Sequence, residues 1–154
     1  MLGLALSASL LVGPLHGAEL GSSPDSGFGA GLMIGEPTGV SLKYWLAEES
    51  AIDGGFGWSL ADDHDFQVHV SYLYHLFNVI PLEQNRLPLY FGGGLRYKFR
   101  DRRDDLFGFR SVVGVAYLFD DLPVDIFAQV GPILDVTPDA KVRFGGSIGA
   151  RFWF

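Results

Sequence analysis

The 154-residue chain contains no cysteine. That excludes a disulfide framework, a thiol nucleophile and a zinc–thiolate centre. It also lacks a long apolar run. A membrane-spanning helix takes about 20 consecutive apolar residues, and no stretch here reaches that length. Positive charge is scarce, with 11 Lys and Arg against 18 Asp and Glu and a net charge of −7. Nucleic acid is therefore not an expected partner, because its phosphates require basic patches. A helical period is missing throughout residues 27–154. What the chain does have is glycine and aromatic rings: 21 Gly, 13 Phe, 6 Tyr and 3 Trp, with a mean hydropathy of +0.22. This mixture suits a closed sheet in lipid better than a soluble enzyme, and the length suits one domain.

Residues 1–18 read as a secretory signal peptide: an apolar core from Leu2 to Val12, a break at Pro14, and His16-Gly17-Ala18 ahead of Glu19. Residues 19–26 read as a flexible lead-in. From residue 27 the pattern changes to a period of two, which in a strand sends successive side chains to opposite faces. It is clearest over Lys141–Phe154. Val142, Phe144, Ile148, Phe152 and Phe154 share one face, and Lys141, Arg143 and Arg151 share the other. The aromatic pair Phe152 and Phe154 resembles the terminal membrane-assembly signal of bacterial outer-membrane barrels.

Seven earlier segments alternate in the same way, separated by short turn-forming stretches such as Gly35-Glu36-Pro37-Thr38-Gly39 and Glu48-Glu49-Ser50. The polar faces take Lys43, Arg96, Lys98, Arg100, Arg110, Lys141, Arg143 and Arg151, together with Asp53, Asp65, Asp125 and Asp135. No charged residue falls on an apolar face. A soluble ligand-binding barrel would show the reverse, apolar inside and charged outside. Lipid explains the sorting, because a Lys or Arg facing the bilayer midplane costs about 2–4 kcal/mol and an unclosed sheet edge leaves backbone groups unpaired. The expected fold for residues 27–154 is all-β: an eight-stranded antiparallel up-and-down transmembrane β-barrel.

The segment Gly35-Glu36-Pro37-Thr38-Gly39-Val40-Ser41-Leu42-Lys43-Tyr44-Trp45-Leu46 resembles a known family, as do Ala51-Ile52-Asp53, His69 to His75 and Leu87-Pro88-Leu89-Tyr90. So do Ala116-Tyr117-Leu118-Phe119-Asp120, Asp125-Ile126-Phe127 and Pro132-Ile133-Leu134-Asp135. The family is that of small, functionally uncharacterised outer-membrane β-barrels with spirochaete surface-protein relatives, compared with the OmpA barrel. The resemblance implies a fold and an outer-membrane location. It supplies no reaction and no catalytic residues.

An eight-stranded barrel is just wide enough for side chains to fill its interior. The inward charges, with His69 and His75 beside Gln67 and Gln129, therefore read as an ion network closing the lumen, and the expected role is structural or interactive, without catalysis or cofactor. Two alternatives stand beside it. The excess of inward cations suits a narrow anion-preferring channel. His69 and Ser71 share a face, as a base and nucleophile of a lipid A-modifying enzyme would, although the alternation points both inward. Asp62-Asp63-His64-Asp65 reads as a solvated acidic tip rather than a metal site. The Gly92-Gly93-Gly94 run reads as close packing or sheet curvature. Tyr44, Tyr97, Tyr117, Phe152 and Phe154 are candidates for interfacial aromatic girdles, and Trp45 reads as inward.

With both termini in the periplasm, residues 35–39, 61–64, 100–105 and 135–140 fall outside the cell, and the longest link, 78–87, falls on the periplasmic side. The expected partners are outer-membrane lipid, lipopolysaccharide and the barrel assembly machinery, with the protein a monomer.

Overall fold

A computed structural model describes residues 26–59, 65–100 and 104–154. The expected signal peptide, all but the last residue of the lead-in and the acidic tip before Asp65 lie outside the described residues.

Eight strands follow in chain order: β1 (Phe28–Gly35), β2 (Thr38–Trp45), β3 (Ser50–Trp58), β4 (Phe66–Leu76), β5 (Leu89–Phe99), β6 (Leu106–Leu118), β7 (Val124–Thr137) and β8 (Lys141–Trp153). Each pairs antiparallel with its neighbour in the chain, and β1 pairs with β8, so the sheet closes into a barrel. Among the described strands, closure leaves no edge to present unpaired backbone groups.

The turns follow from local chemistry. Between β1 and β2, Gly35 adopts φ 137°, where a side chain would be strained. The Thr38 hydroxyl accepts from the Gly35 N–H at 2.9 Å and donates to the Gly35 carbonyl at 2.8 Å. This turn leans inward: Pro37 is buried, and the Glu36 N–H donates to the Gly146 carbonyl across the rim at 2.8 Å. The link between β4 and β5 is anchored by Asn85. Its N–H donates to Asp120 Oδ2 at 2.7 Å and its Nδ2 donates to the Tyr117 hydroxyl at 2.8 Å. The β5–β6 ladder resumes within this link, where Arg86 pairs with Leu118. Pro88, which has no N–H to donate, stands between that bridge and β5.

Period-two sorting holds on every strand. The outer surface is apolar, with Phe144 74%, Leu32 69% and Ile148 58% exposed, while Lys43, Asp53, Arg96, Lys98, Asp125, Asp135 and Arg151 are buried within. Gly94, in the triple-glycine run, permits close strand approach: a Cβ there would stand 1.8 Å from the Val70 carbonyl oxygen. Larger inward rings are seated on glycines of the adjacent strand. Trp153 lies opposite Gly29, Tyr90 opposite Gly114 and Phe127 opposite Gly149. At each of these glycines a Cβ would come within 3 Å of the facing ring.

Candidate functional site in the barrel lumen

The lumen has two unlike halves. The end that holds Phe28 and Trp153 is packed with rings. Trp45, Ala51 and Trp153 form one buried cluster. Leu73, Tyr90, Ala116, Leu118 and Phe127 belong to a second, and Phe77, from the link between β4 and β5, packs against both. The Arg86 guanidinium lies over the outer face of this plug, 5.7 Å from the Phe77 ring centre.

Charges in this half are each held by a defined partner. Lys43 Nζ donates to His75 Nε2 at 2.7 Å. An ammonium has no acceptor, so Nε2 carries the lone pair, and Nδ1–H donates to the Glu49 carbonyl at 3.0 Å. Lys43 Nζ also lies 4.6 Å from the Trp45 ring and 5.2 Å from the Tyr90 ring, within cation–π range. The Asp125 carboxylate accepts from Arg151 Nε at 3.1 Å and from the Trp153 indole N–H at 3.0 Å. The Arg151 guanidinium in turn lies 4.1 Å from the Phe127 ring centre.

Polar side chains dominate at mid-height. The Tyr90 hydroxyl donates to Gln129 Oε1 at 2.7 Å, and Gln129 Nε2 reaches Ser147 Oγ at 3.4 Å. Arg110 Nη1 donates to Ser71 Oγ at 2.7 Å and lies 3.9 Å from Asp53. The far half is ionic. The fully buried Asp135 carboxylate accepts from Arg96 through one oxygen and from Arg143 Nε at 2.7 Å through the other. Lys98 Nζ donates to Ser59 Oγ at 3.2 Å. Between these layers lies a polar cavity of about 10 Å³, walled by Gln67, His69, Arg96, Arg110, Gln129 and Ser147, with Glu36 at its upper edge.

Most residues expected in the lumen network are therefore inside: Lys43, Asp53, His69, His75, Arg96, Lys98, Asp125, Asp135 and Arg151 are buried, and Arg110 nearly so. Arg143 is a quarter exposed, and Asp65 stands half-buried just before β4. Two expectations need correction. Arg100 lies past the end of β5, where its Nε donates to the Asp104 carbonyl at 2.7 Å, and Lys141 is exposed at the first position of β8. Inward parity does not carry a side chain into the lumen once its strand has passed the rim, where water solvates the charge at no cost.

His69 and Ser71 both face the lumen, and Ser71 Oγ accepts from Arg110. Phe152 and Phe154 face outward, with Phe154 stacked on Phe28 at 6.3 Å. Tyr90, Phe127 and Trp153 share the parity of the inward charges on their strands. Their pairing with glycines became visible only with the strand register. The plugging role of Phe77 and Arg86 carries no periodic signal, because both lie outside the eight strands.

No family model matches the chain, and no curated protein is similar to it at significance. Among solved structures, the N-terminal β-barrel domain of Pseudomonas aeruginosa OprF aligns with a TM-score of 0.56. The alignment covers 81% of this chain and 93% of that domain at 14% sequence identity. The two share a fold. It is the OmpA-type eight-stranded barrel, and at this identity the likeness concerns architecture alone.

Proposed function

We propose that the chain is an outer-membrane β-barrel with a structural or interaction role and no catalysis, akin to the small uncharacterised family that its sequence resembles. One observation carries this reading. The apolar side chains form the outside of a closed cylinder, and the ionic ones are buried within it. A water-soluble barrel gains nothing from that inversion, whereas hydrocarbon demands it. Lipid and lipopolysaccharide would surround the protein as a monomer, after delivery by the barrel assembly machinery, with the Phe77 end toward the periplasm. The aromatic rows Phe66–Phe99 and Tyr97–Phe107 at one end, and Tyr74–Phe91 and Phe28–Phe154 at the other, suit the two interfaces.

The lumen packing bears on both alternatives. Rings and ion pairs fill the path that an anion would take. His69 and Ser71 sit inside, away from the lipid that a lipid A-modifying enzyme must reach. The test is fractionation to the outer membrane, with heat-modifiable gel migration after refolding in detergent. A soluble protein with unshifted migration would overturn the proposal. Planar-bilayer recording should show no stable conductance.

A further inference from the structure

Two guanidiniums, Arg96 and Arg110, line the polar cavity in the far half of the lumen. Arg96 is 3% exposed, and its Nε is buried without a hydrogen-bond partner. Its one carboxylate partner, Asp135, is shared with Arg143. Arg110, across the same cavity, bonds the neutral Ser71, and its nearest carboxylate oxygen, on Asp53, stands at 3.9 Å, beyond hydrogen-bond reach. That Asp53 oxygen is itself buried without a hydrogen bond. Two guanidiniums thus face a small, partly open space. A buried cation without full compensation is costly. The remaining wall is mixed: Gln67, His69, Gln129 and Ser147 are polar, Pro37, Val112 and Ile133 are apolar, and Glu36 in the β1–β2 turn, which accepts from Gln67 Nε2 at 3.4 Å, is its one carboxylate.

We propose that this cavity binds one monatomic anion, chloride being the physiological candidate, between Arg96 and Arg110. The size supports this choice. About 10 Å³ corresponds to roughly one small occupant, which favours a monatomic ion over phosphate, sulfate or a carboxylate ligand. Guanidinium N–H groups supply charge-assisted bonds to the ion. The ion would complete the ionic half of the plug, as a resident of a closed lumen and not as a permeating species. The inference rests on the lumen's composition and does not depend on which solvent surrounds the barrel.

The full chain, refolded in detergent, would be titrated with sodium bromide and with sodium chloride against sodium sulfate at matched ionic strength, with the unfolding midpoint as readout. The expected result is a saturable rise with either halide, half-complete at or below about 0.15 M, and no such rise with sulfate. Crystals grown in bromide should show one anomalous peak within reach of the Arg96 and Arg110 guanidiniums. Arg110→Gln should weaken halide binding by about tenfold or more, whereas Glu36→Gln, which removes the wall's carboxylate, should strengthen it. A purely structural role for Glu36 would not produce that opposite shift. Identical effects of all three salts, or a bromide-free cavity holding only water in the wild-type map, would overturn the proposal even if Arg110→Gln failed to fold.

Discussion

The two halves of the lumen are closed by different physics. Around Trp45, Phe77 and Trp153 the interior is filled by shape: rings lie on facing glycines, and the few charges are held among rings and nearby partners. Around Asp135 it is filled by charge: one carboxylate holds two guanidiniums beside a polar cavity. Packing of rings is indifferent to salt and fails when volume is removed. A charge network responds to ions and fails when one partner is removed. The contrast shows that an eight-stranded barrel can be sealed in either way, and that this chain uses one at each end.

The largest effect should come from Trp153→Ala. It opens a cavity in the ring-packed half, worth about 3–5 kcal/mol, and leaves Asp125 Oδ2 without its indole donor. Urea unfolding in lipid vesicles should show that loss at low and high salt alike. Asp135→Ala should cost about 3–5 kcal/mol by stranding the buried Arg96. Here added halide should recover part of the loss, and equal salt responses in the two variants would erase the contrast between the halves. Val130→Arg places a cation on the outer face near the middle of β7 and should cost about 2–4 kcal/mol in vesicles. In that variant both halves of the lumen should stay intact.

The smallest effect concerns pH at the far rim. The Asp105 carboxyl is held below its ordinary value of 3.8, first by the Arg100 N–H and then by the Tyr97 hydroxyl. A depressed folded value stabilises the hairpin fully above the ordinary carboxylate range, and the gain fades as pH falls toward the lower folded value. Asp105→Asn should abolish that component of the acid response, measured as the shift of unfolding midpoint across the acidic range. The wild type and the variant should then differ near neutral pH and converge under strong acid.

Face sorting was legible residue by residue, because strands β5, β7 and β8 each carry several charges of one parity and their outward-facing positions carry none. Strand ends were less so. β7 continues to Thr137, into the stretch 135–140 expected outside, and the β1–β2 turn folds into the mouth with Pro37 buried. Those outcomes depend on contacts across the rim, such as Glu36 to Gly146, that join positions far apart in the chain. Arg100 and Lys141 illustrate the same limit, since parity gives direction but not depth. The pairing of Arg96 with Asp135, 39 residues apart, follows from the register of β5, β6 and β7, which sets both opposite Gly108 and to which alternation is blind.

The seating of rings on glycines also has a geometric result. Moving β8 along β1 by two residues, the smallest slip that keeps both faces correct, would lift Trp153 off Gly29. Tyr90 on Gly114 and Phe127 on Gly149 resist the equivalent slips at two other seams. The offset accumulated around a closed sheet fixes strand tilt and radius. The cylinder's girth is thereby gauged from inside, by three aromatic side chains and the hollows that receive them.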